Sequence, residues 1–307
     1  MVKLSKQAHG EARNFITANA RSLERAIYAY AFEDGSAEAV FAALATYQNE
    51  DGGFGHGLEP DLQLADSSVI ATTVAFQHLR AMGAPADHPL VRGGIRYLMA
   101  TYDPDIEAWP IIPPNVDDAP HAPWWGYDDD LAERWGGFLV NPRAEIVGYL
   151  HDYPSLVPEA MRDELTRAVV DYAAQRPDDI GMFDVLCYVR LVRTQPLPAT
   201  VRNRLMALLT PAVEVLVVQD PSRWDEYVLT PIEIVDGPEA PFADVLADAV
   251  AANLDFEIAH QAESGAWEPT WTWGGMHPEA WARAKRAWSG ILTVRTLRIL
   301  RRFDRLA

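Results

Sequence analysis

Apolar positions recur at intervals of three and four along most of the chain, the period of a helix with one buried face. Within residues 22–32 the stripe is Leu23, Ala26, Ile27, Tyr30 and Ala31. The same rhythm predicts helices over 36–47, 67 or 68–82, 88–101, 142–152, 158–175, 182–194, 198–218, 241–262 and 278–303. Ser36 is placed to cap its helix, with Glu38 at the positive end of the dipole, and Gly83 supplies a helix stop. Pro142, Pro158, Pro198, Pro241 and Pro278 sit near first turns, where the missing N–H costs nothing. Pro211 lies inside a segment and is expected to kink or split it. Residues 213–218 have strand propensity, but their place in a long apolar segment favours helix, and no alternating strand pattern occurs elsewhere. The expectation is an all-α chain of ten or more helices in antiparallel pairs, forming a single domain over residues 1–307.

Two long breaks interrupt the helices, at 102–141 and 263–277. They are rich in Pro and Trp, and their aromatic rings have apolar area to bury, which argues against disorder.

Charge narrows the functional classes. The chain has 307 residues, with 26 Lys plus Arg against 44 Asp plus Glu, a net charge of −18. That balance excludes a nucleic-acid binder working through phosphate contacts and disfavours electrostatic docking on an anionic membrane. The deficit is local: no Lys or Arg occurs between Arg25 and Arg80, or between Arg96 and Arg134. Cys187 is the single cysteine, so neither an intramolecular disulfide nor a cysteine-based zinc cluster can form. Residues 1–15 lack an apolar signal core and no run has the length of a membrane span, so the expected location is the cytoplasm.

Two segments repeat each other. Gln48-Asn49-Glu50-Asp51-Gly52-Gly53-Phe54 and Gln261-Ala262-Glu263-Ser264-Gly265-Ala266-Trp267 both read Gln, three residues, Gly, one residue, aromatic. Each follows one predicted helix and precedes another, which describes a hairpin corner: glycine turns the chain, Gln ties the loop and the ring plugs the gap. A degraded third copy ends at Trp109. These segments resemble the glutamine–tryptophan repeats of squalene–hopene cyclases and the related repeats of protein prenyltransferase β-subunits. The resemblance implies an α/α toroid, with inner and outer rings of helices. Phe54 departs from the usual Trp.

Within that resemblance, Asn115-Val116-Asp117-Asp118 is similar to the Asp-x-Asp-Asp signature of class II terpene cyclases, with Asn115 in place of the first Asp. It implies Asp117 as the proton donor and Asp118 as its neighbour. Independently of any family, the run Gly53-Phe54-Gly55-His56-Gly57-Leu58-Glu59-Pro60-Asp61 carries His56, Glu59 and Asp61 on a glycine-rich loop, where polar groups often serve function. His121, Trp124 and Trp125 form a third cluster, and Trp267, Trp271 and Trp273 a fourth. Their rings suit either carbocations or sugar faces. The Asp, Cys and His of a prenyltransferase zinc site find no match, so no metal ligands are assigned.

Three readings follow. The resemblance implies acid-initiated cyclisation of a hydrophobic isoprenoid, with no cofactor unless a diphosphate substrate brings Mg. A carbohydrate-active hydrolase or lyase would use Glu59, Asp61, Asp117 and Asp118 as paired acid and base. A non-catalytic toroid that binds a small molecule is the third. A closed apolar chamber would favour isoprenoids, and an open groove with polar walls would favour sugars.

Overall fold

The computed structural model describes residues 2–307, and the chain is 59% helical with almost no strand. In chain order the α-helices are α1 (Lys6–Asn19), α2 (Ser22–Phe32), α3 (Ala37–Ala45), α4 (Val69–Ala81), α5 (Pro89–Thr101), α6 (Leu131–Arg134), α7 (Arg143–Asp152), α8 (Glu159–Gln175), α9 (Met182–Val192), α10 (Ala199–Leu216), α11 (Pro231–Ile234), α12 (Ala247–Ala259) and α13 (Pro278–Arg302). Among the described residues no helix is long and apolar enough to cross a membrane.

Local chemistry sets most of these ends. Ser36 Oγ accepts from Ala39 N at 3.2 Å, and Ser68 Oγ accepts from Ala71 N at 3.1 Å, so each hydroxyl satisfies one orphan donor of a first turn. After α4 the chain turns at Gly83, where φ is +66°. Helices α7, α8 and α10 each begin one residue after a proline. The single-turn helices α6 and α11 have no counterpart in the sequence pattern, and three longer helices also differ from it. Helix α12 begins at Ala247 rather than near Pro241, because Phe242 takes a left-handed conformation with φ +64°. Helix α10 runs unbroken through Pro211; the carbonyl deprived of a donor belongs to exposed Ala207, where water can replace the lost bond. Helix α1 has no counterpart in the expected set; it buries Ala12 and Ile16, four apart on one face.

The chain forms two compact units. One is Ala45–Leu216; the other joins Val217–Ala307 to the described residues up to Leu44. In the first, α7 packs against α4, α8 and α9, α4 against α5, and α10 against α8 and α9. Every residue from Arg143 to His151 is buried. A helix surrounded on all sides must match its own polar groups. Arg143 Nε donates to Leu139 O at 2.7 Å, and His151 Nε2 lies 2.8 Å from Thr166 Oγ1. Glu145 accepts from Gln77 Nε2 at 2.9 Å, from Arg190 Nη1 at 2.8 Å and from the Tyr149 hydroxyl. Arg80 joins the same layer, donating to Asp152 Oδ2, to Arg190 O and to Thr194 Oγ1 at 2.6, 2.7 and 3.0 Å. Gly148 permits this approach: a Cβ there would lie 2.7 Å from Thr194 Oγ1.

In the second unit α13 packs against α1 and α2, α1 against α2, and α11 against α12. Leu4 and Leu306 form a parallel bridge, with Leu4 N donating to Arg305 O at 2.8 Å and Ala307 N to Leu4 O at 3.0 Å.

Candidate functional site

The repeated corners are built alike, one in each unit. Gln48 Nε2 donates to Gly52 O at 2.9 Å and to Leu90 O of α5 at 3.1 Å. Gln261 Nε2 donates to Gly265 O at 2.8 Å and to Ala8 O of α1 at 2.9 Å. Asn49 N bonds Gly53 O and Ala262 N bonds Ala266 O, both at 2.9 Å. The aromatic residue's N–H meets a threonine hydroxyl of the next helix in each: Phe54 with Thr72 at 3.1 Å, Trp267 with Thr293 at 3.0 Å. Gly52 and Gly265 have φ of +93° and +84°, and a Cβ on either would come within 2.3 and 2.5 Å of neighbouring backbone. Both positions therefore require glycine.

The third corner keeps the shape with other residues. Glu107 takes the left-handed position at φ +52°. Its carbonyl accepts from Arg143 Nη1 at 3.1 Å. Trp109 is fully buried and its Nε1 donates to Leu98 O at 2.6 Å, as Trp267 Nε1 does to Glu257 O at 3.0 Å.

The glycine-rich loop leaves the first corner and folds on itself. Gly55 N bonds Tyr47 O at 2.9 Å, and a Cβ on Gly55 would lie 2.2 Å from Asp66 O. His56 is exposed at φ +53°, and its Nε2 lies 2.8 Å from Asn49 Oδ1, closing the loop's neck. Beyond it the loop pairs with the segment that carries the aspartate motif. Ala122 N donates to Asp61 O at 2.8 Å, Gln63 N to Pro120 O at 3.0 Å, and Leu62 forms an antiparallel bridge with His121. Asn115 Nδ2 fastens the far end to Asp66 Oδ2 at 2.7 Å.

This pairing brings Glu59, Asp61 and His121 onto adjacent strands of loop, all buried, at 7%, 3% and 8% exposure. Asp117 and Asp118 lie on a short turn, Val116–Asp118, and both are exposed. The Asp117 side chain is 59% accessible, and its Oδ1 lies 2.9 Å from His121 Nε2. His121 Nδ1 faces the carbonyl of Ala122 at 2.8 Å. Asp117 thus orients a buried histidine from the water side.

The adjacent tryptophans part company. Trp125 is buried and stacks on Trp135, with ring centroids 5.0 Å apart and planes 11° apart. Trp124 is half-buried and lines an open cavity of about 500 Å³. None of Glu59, Asp61, His56, Asp117, Asp118, His121 or Trp125 lines that cavity. Its other walls come from the segments around Trp135, Tyr172 and Phe183, which sequence reasoning missed because no local pattern links them.

In the other unit Trp267 is a corner plug and both its N–H groups are spent. Trp273 is fully buried, 5.8 Å from Trp281. Trp271 is half-buried between Tyr227, at 5.6 Å, and Trp288, at 5.0 Å. Among the described residues no group of three or more His, Cys, Asp or Glu side chains is disposed to hold a metal ion.

Comparison with protein-family models, with curated proteins and with solved structures returned no match for this chain.

Proposed function

We propose that this chain is an enzyme of α/α-toroid type that performs acid–base chemistry on a hydroxyl-rich small molecule, with Glu59, Asp61 and His121 as its proton-transfer groups. The observation that carries the reading is the backbone pairing of the glycine-rich loop with residues 120–122, which runs the segment bearing buried Glu59 and Asp61 alongside the segment bearing buried His121. Burying carboxylates is expensive, so a fold that holds two of them on one short loop has a use for them. One carboxyl group donates a proton to a leaving oxygen and the other accepts one from water or substrate. The three similar corners support the toroid, because a repeated helix-pair corner is what such a ring is made from.

Acid-initiated cyclisation of an isoprenoid is the second reading, favoured by the Gln…Gly…aromatic corners themselves. The exposure of Asp117 speaks against that residue as its acid, since protonating an alkene demands a carboxyl group sheltered from water. In this reading Glu59 or Asp61 supplies the proton.

The test is turnover of two panels, neutral oligosaccharides and linear isoprenoids with their diphosphates, by the full chain and by Glu59→Gln, Asp61→Asn and Asp117→Asn. The expected result is product from the sugar panel, a loss of at least about 100-fold in each of the first two variants, and less than about tenfold in the third. Turnover of the isoprenoid panel alone replaces the first reading with the second. Turnover unchanged in Glu59→Gln and Asp61→Asn, or none on either panel, overturns both.

A further inference from the structure

The cavity of about 500 Å³ in the Ala45–Leu216 unit stands apart from the proposed reaction centre, of whose residues none lines it. Its walls combine two chemistries. Trp124, Trp135, Tyr172 and Phe183 contribute aromatic surface. Trp135 and Phe183 are tilted neighbours, 5.9 Å apart at 50°, and Phe183 is exposed for a large apolar side chain, at 38%. Glu133, Asp179 and Asp184 contribute carboxyl groups.

The basic residue on the wall is Arg134, and its guanidinium is already engaged. It grips both carboxylate oxygens of Asp128, at 2.6 and 2.8 Å, and donates to Gly126 O at 2.9 Å. Asp184 Oδ2 accepts from Gly181 N at 3.0 Å, and burial pushes its carboxyl group above the ordinary range. A cation arriving beside it would favour its ionised form.

The protein shows the same pairing with its own cation at the edge of this site. The Arg176 guanidinium lies over the Tyr172 ring, 5.8 Å from its centroid, and 3.6 Å from Asp179. That ion pair is exposed on both sides, at 62% and 55%, so water screens it and it leaves the cavity's acidity in place.

Aromatic faces attract cations through their quadrupoles, and carboxylates attract them by charge. Neutral ligands gain neither attraction, and anions are repelled by the carboxylates. We infer that this cavity binds an organic cation, a small molecule with an alkylammonium headgroup held between the Trp124, Trp135 and Phe183 rings and facing Asp184. The volume suits a small molecule rather than a bare metal ion.

The experiment is a calorimetric titration of the full chain with choline, and with 3,3-dimethylbutan-1-ol, which has the same shape without the charge. Choline is expected to bind at least tenfold more tightly than the neutral isostere. Phe183→Ala and Asp179→Asn, both at exposed positions and so tolerated by the fold, are expected to weaken choline at least threefold with unchanged melting temperature. Trp135→Ala is expected to weaken it at least tenfold, and Trp135→Phe to restore part of that loss. Equal binding of choline and its isostere, no binding of choline, or choline affinity indifferent to all four substitutions overturns the proposal.

Discussion

Arg143 Nη1 donates to the carbonyl of Glu107 at 3.1 Å, taking in the third corner the place that Gln48 holds at Gly52 and Gln261 at Gly265. The same kind of carbonyl is met here by a different residue type. In two corners the donor belongs to the corner itself; in the third it reaches in from the buried helix α7.

The corners predict opposite outcomes for similar changes. Gly52→Ala and Gly265→Ala put a Cβ into neighbouring backbone, at 2.3 and 2.5 Å, and force a left-handed residue. Each is expected to cost about 3 kcal/mol or more. Gln261→Ala leaves two carbonyls without that donor and is expected to cost about 1–3 kcal/mol. Glu107→Gly removes a side chain from a left-handed position and should stabilise by about 0.5 kcal/mol, the relief of strain less the added freedom of the unfolded chain. Urea midpoints at constant slope check all four.

Glu145 is the hinge of the polar layer around α7. It is 2% exposed and accepts from Gln77, Arg190 and Tyr149. Glu145→Ala strands three donors, one of them charged, and is expected to cost about 3–5 kcal/mol. Tyr149→Phe removes one donor and should cost only about 1–2 kcal/mol. If the smaller change proves as damaging as the larger in chemical denaturation, the layer is not organised around Glu145.

Acid should weaken the fold through His151. Burial, with Arg162 adding to it, pushes this imidazole from 6.5 down to about 4. Between those values the unfolded chain takes up a proton that the folded chain refuses. The contribution is therefore fully present above pH 6.5 and is lost as pH falls towards 4. Glu257 works in the other sense: burial pushes its carboxyl group from 4.5 up to about 7, so its contribution is lost as pH rises through 7. Stability measured from pH 4 to 8 should lose its acid slope in His151→Gln and its slope towards neutrality in Glu257→Gln.

The lone thiol is expected to be inert. Cys187 is 2% exposed, burial raises it well above the ordinary thiol range, and Glu145 lies 3.8 Å from its sulfur. A thiolate there would be desolvated beside a carboxylate. Reaction with a disulfide reagent should be undetectable in buffer and stoichiometric in denaturant; labelling of the native protein would show that α9 opens.

Helix α2 has the bounds the pattern predicts, Ser22–Phe32, but its buried face is turned from the expected stripe: Leu23 and Ile27 are buried as expected, Glu24 and Tyr28 join them, and Tyr30 is 42% exposed. The corners were legible because glycine and glutamine are there for backbone reasons that leave few substitutes. The third corner was only partly so, since Glu107 bears the strain and Arg143 supplies the bond from another helix. Helix α1 was missed although its buried Ala12 and Ile16 lie four apart on one face. The cavity wall was illegible because Trp124, Trp135, Tyr172 and Phe183 share no period. Even where the motif was visible, as at Asp117, the sequence could not say whether the carboxyl group faces water or protein.

The division of the chain sets an order of events during synthesis. Ala45–Leu216 is one uninterrupted stretch and can close as soon as it is made. Helices α1 and α2 cannot, because the helix they pack against, α13 (Pro278–Arg302), follows far behind them in the chain. At about 5–20 residues per second they wait for roughly ten seconds to a minute while their partner is made. For that interval α1 can cover only part of α2, and the face that meets α13 stays open to chaperones or neighbours.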